Sequence, residues 1–327
     1  MLYFIQDEVE MKTLYIVIPC YNEEEVIHET TRRLSIKLTH LIENETILPN
    51  SRIVFVDDGS KDNTWKMINE IHAEDHRFLG LKLTRNRGHQ NALLAGLMTA
   101  KEHADIVISM DADLQDDIEA IDAFIQANTE GHDIVYGVRN KREKDTFFKR
   151  VSAELFYKFM ILMGVEIVFN HADYRLMSKR ALYDLEQFDE VNLFLRGLVP
   201  LLGYKSTKVY YDRTERFAGE SKYPLRKMLA FAFEGITSFS IKPIRLILHA
   251  SLMMFVISMI IILYTLYRYS IGETVSGWAF LNISIWFIAG VQTLLLGIVG
   301  EYIGKIYSET KKRPKYFIET FLNDDLT

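Results

Sequence analysis

Two runs in the carboxyl-terminal third, IRLILHASLMMFVISMIIILYTLY from Ile244 to Tyr267 and WAFLNISIWFIAGVQTLLLGIVG from Trp278 to Gly300, carry almost no charge. No other feature narrows the fold as much. Hydrocarbon offers no partner for backbone N–H and C=O groups, so a segment that crosses it must satisfy them internally, as a helix does. At about 1.5 Å per residue each run reaches roughly 34 to 36 Å, enough to cross a bilayer with some tilt. The loop Arg268–Gly277 between them is short. The expectation is a transmembrane hairpin over 244–303, with spans at 244–267 and 278–300.

The flanking charges give the orientation. Lys222, Arg226, Lys227, Lys242 and Arg245 precede the first span, and Lys305, Lys311, Lys312, Arg313 and Lys315 follow the second, whereas the loop has only Arg268. Basic residues stay on the cytoplasmic side, so both termini and the domain before the hairpin are expected there, in a multi-pass protein of the cell membrane. MLYFIQDEVE is short and acidic and reads as an extension over 1–12, with no cleavable signal and with Met11 as an alternative start. The one cysteine, Cys20, excludes an internal disulfide framework and suits a reducing compartment. Leu155–Phe169 is too short to span and reads equally as a core or an interfacial helix. The stretch 225–243, basic at its start and aromatic further on, reads as a juxtamembrane amphipathic helix. Residues 304–327 read as a cytoplasmic tail. Gly290, Gly297 and Gly300 offer small faces for self-association into a homo-oligomer.

Residues 13–224 alternate between short apolar runs and helical patterns. The runs include Tyr15–Cys20 and Phe78–Leu83; the helical patterns follow Asn22 and Asp62 and cover Gly88–Glu102 and Asp117–Asn128. Such alternation implies an α/β, Rossmann-like domain with a mostly parallel sheet. A dinucleotide-binding domain would need a glycine fingerprint in its first turn, and PCYNEE stands there instead. The net charge of −6 argues against a general nucleic-acid binder.

The ends of the runs carry the chemistry. ISMDADLQDD places Asp111 and Asp113 one residue apart where an apolar run stops, and two such carboxylates at the carboxyl edge of a sheet suit a divalent cation carrying a diphosphate. Upstream, YIVIPCYNEEE and IVFVDDGSKDNT also end in acids, and the run after them opens into the basic, glycine-containing TRNRGHQNALLAG. This ordered set, from Thr13 to Tyr223, resembles the family 2 glycosyltransferases with the GT-A fold. The Gln-x-x-Arg-Trp signature of the processive polysaccharide synthases is missing. The hairpin and two basic clusters, one around Arg139, Arg142, Lys149 and Arg150 and one around Arg213, Arg216 and Lys222, sharpen the likeness to the polyprenyl-phosphate branch. That branch includes dolichyl-phosphate mannose synthases and bacterial undecaprenyl-phosphate glucosyltransferases.

The resemblance implies a GT-A sheet domain followed by interfacial helices and the hairpin. It implies Mg²⁺ or Mn²⁺ held by Asp111, Asp113 and Gln115, with Asp113 also counted as catalytic. Pro19, Tyr21, Glu23 and Asp57 or Asp58, with Asp111, would bind the nucleotide sugar. Arg139 and Arg150 would meet the acceptor phosphate, while Arg216 and Lys222 would hold phosphates from a loop. The reaction implied is inverting transfer of a hexose to a polyprenyl phosphate within membrane lipid, making a lipid-phosphate sugar for cell-envelope glycosylation. UDP-glucose or UDP-N-acetylglucosamine is the expected donor and GDP-mannose the alternative. A non-catalytic scaffold or flippase component is the reading from another class, and it predicts lost acids where none is missing. Asp173, in NHADYRLMSKR, occupies the catalytic-base position. A phosphate acceptor arrives already ionised, so Asp173 is expected to orient the acceptor or neighbours such as Arg175.

Overall fold

The computed structural model describes residues 11–139, 171–190, 193–212 and 278–323, with isolated positions between 247 and 271. The chain divides into two compact units, Met1–Ser152 with Ile167–Lys222 and Arg313–Thr327, and Ala153–Glu166 with Tyr223–Lys312.

The first unit is an α/β sheet domain. Its strands are β1 (Leu14–Cys20), β2 (Arg52–Asp57), β3 (Phe78–Leu83), β4 (Ile106–Ser109), β5 (Ile134–Arg139), β6 (His171–Ser178), β7 (Ser206–Tyr211) and β8 (Ile318–Leu322). They form one eight-stranded sheet in the order β7-β5-β6-β4-β1-β2-β3-β8. Pairing is parallel from β4 through β1 and β2 to β3, and between β5 and β7. Only β6 and β8 oppose their neighbours. Every residue of β1 and β4 is buried, as expected of strands covered on both faces.

Helices α1 (Ile27–Glu43), α2 (Thr64–Glu74), α3 (His89–Ala100) and α4 (Ala120–Thr129) connect the strands, and α5 (Lys179–Glu186) and α6 (Leu195–Leu201) follow β6. All four expected helical patterns thus form helices. Helix α1 turns Ile27, Leu34, Leu38 and Leu41 to the core, the three-and-four spacing of an amphipathic helix. Helix α3 is richer in small residues and lies closer: a Cβ at Gly96 would run into the side chains of Val17 and Val56.

This topology gathers the carboxyl ends of β1, β2, β4, β5 and β7 along one edge. Because β6 runs the other way, its first residues lie at that same edge, and Asp173 comes with them. Residues 304–327 do more than trail: helix α7 (Trp278–Lys311) continues past the expected span end, and β8 then pairs antiparallel with β3.

In the second unit α7 is 34 residues long, and Leu281, Ile285, Leu296, Ile303 and Ile306 are exposed along it. The expected second span, 278–300, lies within it, although several of its side chains before 295 are not among those described. The first span, 244–267, falls almost entirely outside the described residues, as do Leu155–Phe169 and 225–243. Among the described residues no helix is long and apolar enough to cross a membrane.

Candidate active site

Two loops clasp each other at the carboxyl ends of β1 and β2. Asn22 donates its backbone N–H to the Ser60 hydroxyl and accepts from Lys61 through its side-chain oxygen, at 3.0 and 2.9 Å, while the Glu23 N–H bonds to Thr64 Oγ1. Asn22 takes a φ of 55°, a left-handed conformation that asparagine tolerates. Pro19 ends up beside Val56 in the sheet, with Tyr21 exposed just beyond.

Asp57 and Asp58, alike in sequence, differ in place. Asp58 accepts the backbone N–H groups of Arg87 and Gly88 at 2.7 and 2.9 Å, so both its oxygens brace the loop before α3. Gly59 makes that possible: its φ is 68°, and a Cβ there would meet the backbone of Arg85 and Asn86 at 2.7 Å. Asp57 uses Oδ1 on Ser60, and its buried Oδ2 has no partner among the described residues. Burial raises the proton affinity of both carboxyls.

The DADLQ loop follows β4. Leu114 holds a φ of 57°, uncommon for a branched residue, and this tight turn lets Asp113 Oδ1 accept the Gln115 N–H at 3.1 Å. Thr30 on α1 secures the loop by donating to the Ala112 carbonyl at 3.0 Å. Asp111 keeps 30% of its side chain exposed. Its carboxyl is pushed up to about 6, first by burial and then by Asp116, Asp173 and Asp113, against the opposing pull of His89.

His89, the first residue of α3, reaches between two acids, with Nε2 3.3 Å from Asp173 Oδ2 and 3.7 Å from Asp111 Oδ1. These carboxylates raise its pKa despite burial. Asp173 is buried and surrounded by cations. Arg175 Nη2 is 2.7 Å from Oδ1, and Arg196 donates Nη2 to Oδ2 at 3.0 Å and Nε to Oδ1 at 3.2 Å. Burial alone would raise the Asp173 pKa; Arg196, His89 and Arg175 outweigh it and hold the carboxyl well below the usual carboxylate range. The Ser109 hydroxyl donates to the Asp173 carbonyl at 2.5 Å, tying β4 to β6 at this point.

Arg139 ends β5. It donates Nη2 to Asp116 Oδ1 at 3.1 Å and Nε to the Tyr211 hydroxyl at 3.2 Å, and Tyr211 in turn donates to Asp116 Oδ1 at 2.5 Å. Arg150, Arg216 and Lys222 lie outside the described residues. Among the described residues no three His, Cys, Asp or Glu side chains form a ready-made metal cage. The donor set still fits a hard cation: Asp111 and Asp113 are oxygen donors on one loop, and crowding of negative charge on Asp111 is what a cation would relieve. Oxygens of a bound diphosphate would complete such a site.

The sequence pattern described as Glycosyl transferase family 2 matches residues 15–186. The chain belongs to that family. A second pattern, the GtrB C-terminal hairpin, matches residues 242–306. The uncharacterized glycosyltransferase YkoT of Bacillus subtilis (strain 168) is 53% identical over 95% of this chain and 93% of its own length. The bactoprenol glucosyl transferase of Shigella phage SfV is 39% identical over 93% of this chain and 97% of its own. Among solved structures, the mannosyltransferase PcManGT of Pyrobaculum calidifontis, in complex with GDP-Man and Mn²⁺, superposes with a TM-score of 0.47 at 15% identity. It covers 93% of this chain and 87% of that one, a likeness too distant to bear on chemistry.

As a family 2 glycosyltransferase, the protein brings Asp57, Asp58, Asp111, Asp113 and Asp173 to one edge of its sheet. Arg139 stands there too, engaged by Asp116 and Tyr211. Sequence reasoning missed His89, Arg196, Asp116 and Tyr211. His89 had a signal, since it directly follows Gly88 at the start of a helix beside the acidic strand ends. The others meet partners 23 to 95 positions away, and no local pattern announces them.

Proposed function

We propose that this glycosyltransferase moves a hexose, with inversion, from a nucleotide sugar to the phosphate of a polyprenyl lipid. The observation that carries the acceptor class is the condition of Asp173. A transferase acting on a sugar hydroxyl needs a general base there, because that proton has a very high pKa. Asp173 instead keeps its carboxylate ionised between Arg175 and Arg196 and is a poor proton acceptor. A phosphate monoester has a second pKa of about 6 and is mostly dianionic at pH 7, so it attacks without a base. The end-to-end match to a bactoprenol glucosyl transferase supports the same acceptor, and it favours glucose as the sugar. UDP-glucose, or UDP-N-acetylglucosamine, is the donor we favour.

The residues divide the work. Asp57, with an unpartnered buried oxygen, receives an N–H of the nucleobase beside Pro19, Tyr21 and Glu23, while Asp58 braces the loop. Asp111, Asp113 and Gln115 would hold Mg²⁺ or Mn²⁺, which supplies Lewis acidity to the departing nucleoside diphosphate. Asp173 fixes the directions of Arg175, Arg196 and His89, and those cations set the field around the reacting centre. Arg139 meets the acceptor phosphate, assisted by Arg150, Arg216 and Lys222.

The acceptor's tail lives in the bilayer, so the enzyme works at its cytoplasmic surface, anchored by the hairpin 244–303. The uncharged runs and the hairpin pattern matched at 242–306 support this. The pairing of β8 with β3 supports it too, because the chain that leaves the first unit at Lys222 is back in its sheet by Ile318. Any crossings between them are therefore even in number.

A panel of labelled UDP-glucose, UDP-N-acetylglucosamine and GDP-mannose, each with undecaprenyl phosphate and a divalent cation, tests the reading. The expected outcome is lipid-linked sugar and nucleoside diphosphate from a UDP-hexose, only with lipid phosphate present. Transfer to a sugar hydroxyl with no requirement for lipid phosphate would overturn it.

A further inference from the structure

The triangle of Arg139, Asp116 and Tyr211 has a geometry that a simple ion pair does not need. Nε and Nη2 form one edge of the guanidinium plane, and both point at the Tyr211–Asp116 pair. Asp116 is 0% exposed in its side chain, against 22% for Arg139. Tyr211 is buried, pairs with Arg139 across β5 and β7, and packs edge-on against Tyr174 with ring centroids 5.3 Å apart. The Tyr174 hydroxyl donates to the Asp117 carbonyl, one residue beyond Asp116. The loop after β4 and the ends of β5 and β7 are thereby locked together around one arginine.

We propose that Asp116 and Tyr211 are positioning residues that present Arg139 to the acceptor phosphate. This rests on the reading of Arg139 as an acceptor-phosphate residue. A free arginine side chain loses rotamer entropy when it binds. Here two contacts have already fixed its plane. They occupy the Nε–Nη2 edge and leave the end-on Nη1–Nη2 edge uncommitted among the described residues, and that edge is a fork that matches two phosphate oxygens. Tyr211 is central: its oxygen accepts from Arg139 while its proton goes to Asp116, so the hydroxyl sets the tilt of the plane as well as its distance. Asp116 Oδ2, buried without a partner, shows that the carboxylate is not arranged for its own best satisfaction.

The test is a double-mutant cycle on the full-length enzyme in bilayers or detergent, with Michaelis constants measured separately for polyprenyl phosphate and for nucleotide sugar. Arg139→Ala should raise the acceptor constant strongly. Tyr211→Phe keeps the ring and its packing and should raise it about five- to tenfold, the loss of one hydrogen bond, with the donor constant within about twofold. Asp116→Asn should raise it about tenfold or more. In the Arg139→Ala background, Tyr211→Phe should add less than about twofold. An acceptor constant unmoved by Arg139→Ala would overturn the reading of Arg139 itself. Sensitivity to Arg139→Ala together with a wild-type Tyr211→Phe enzyme, or with effects that multiply in the double variant, would overturn the positioning role alone. If Asp116→Asn fails to fold, the Tyr211 cycle decides by itself.

Discussion

Asp111 and Asp173 flank a single imidazole and are perturbed in opposite directions, one pushed up to about 6 and the other held far down. Environments that drive two neighbouring carboxyls apart assign them different work. On the proposed assignment Asp111 and Asp113 hold the cation, so Asp113→Asn should lower transfer by about a hundredfold or more while the thermal transition stays near that of the parent, and a chelator should reproduce the loss. Radiolabel transfer to lipid measures it, and near-parental turnover of that variant in chelator would remove the assignment. Asp173 follows other arithmetic. Its depressed folded pKa makes its contribution to stability complete above the unfolded value of about 3.9 and lost only as pH falls through the folded value. Between pH 5 and 9 its charge is constant. Asp173→Asn should therefore retain more activity than Asp113→Asn, and raising the pH should restore none of the deficit. A rate that recovers with pH would make Asp173 a general base.

At the scale of elements, the most sensitive joint is the seat of α3 on β1 and β2. Two β-branched side chains, Val17 and Val56, fill the space where a Cβ at Gly96 would go. Gly96→Ala gains helix propensity of about 1 kcal/mol, yet overpacking typically costs about 1 to 3 kcal/mol, and here the stiff neighbours have little room to yield. Net destabilisation of about 1 kcal/mol is expected in denaturant titration of the detergent-solubilised protein, and a stabilised variant would refute the close seat. The strands and helices that were legible in the sequence share a property: each is an unbroken apolar run, or a periodic one, with a distinctive acid or glycine at its end or within three residues of it, as with Glu23 after Cys20, Asp57 itself and Asp111 after Ser109. The reversed direction of β6 was not legible, because Ala172 to Ser178 reads the same whichever way the strand lies. Strand β8 was missed for another reason. Ile318–Leu322 is half open at a sheet edge and follows a basic stretch, which is also what a tail looks like. Asp57, Asp58, Asp111 and Asp113 were visible because they sit at run ends, and Asp173 only through the family resemblance. Their cations, Arg196 above all, were not, since an arginine after Leu195 acquires meaning only when α6 folds back to Asp173.

For the whole molecule the proposed topology is open to a labelling experiment, and the sequence simplifies it. Cys20 is the single cysteine and is buried, so it should be silent to a membrane-impermeant thiol reagent. A cysteine introduced between Arg268 and Gly277 should react from outside intact cells, and one at Lys312 should react only after permeabilisation. Reaction of both from the same side would exclude the hairpin. The strand that closes the sheet adds a matter of timing. Ribosomes make β8 after residues 223–312, so each new copy passes through a stage at which β3 has an open edge, a template for wrong partners. Synthesis of the second unit and completion of the sheet are thereby ordered: the first unit is sealed only once residues 223–312 have been made, and a stalled chain is left with an unfinished edge on which aggregation can begin.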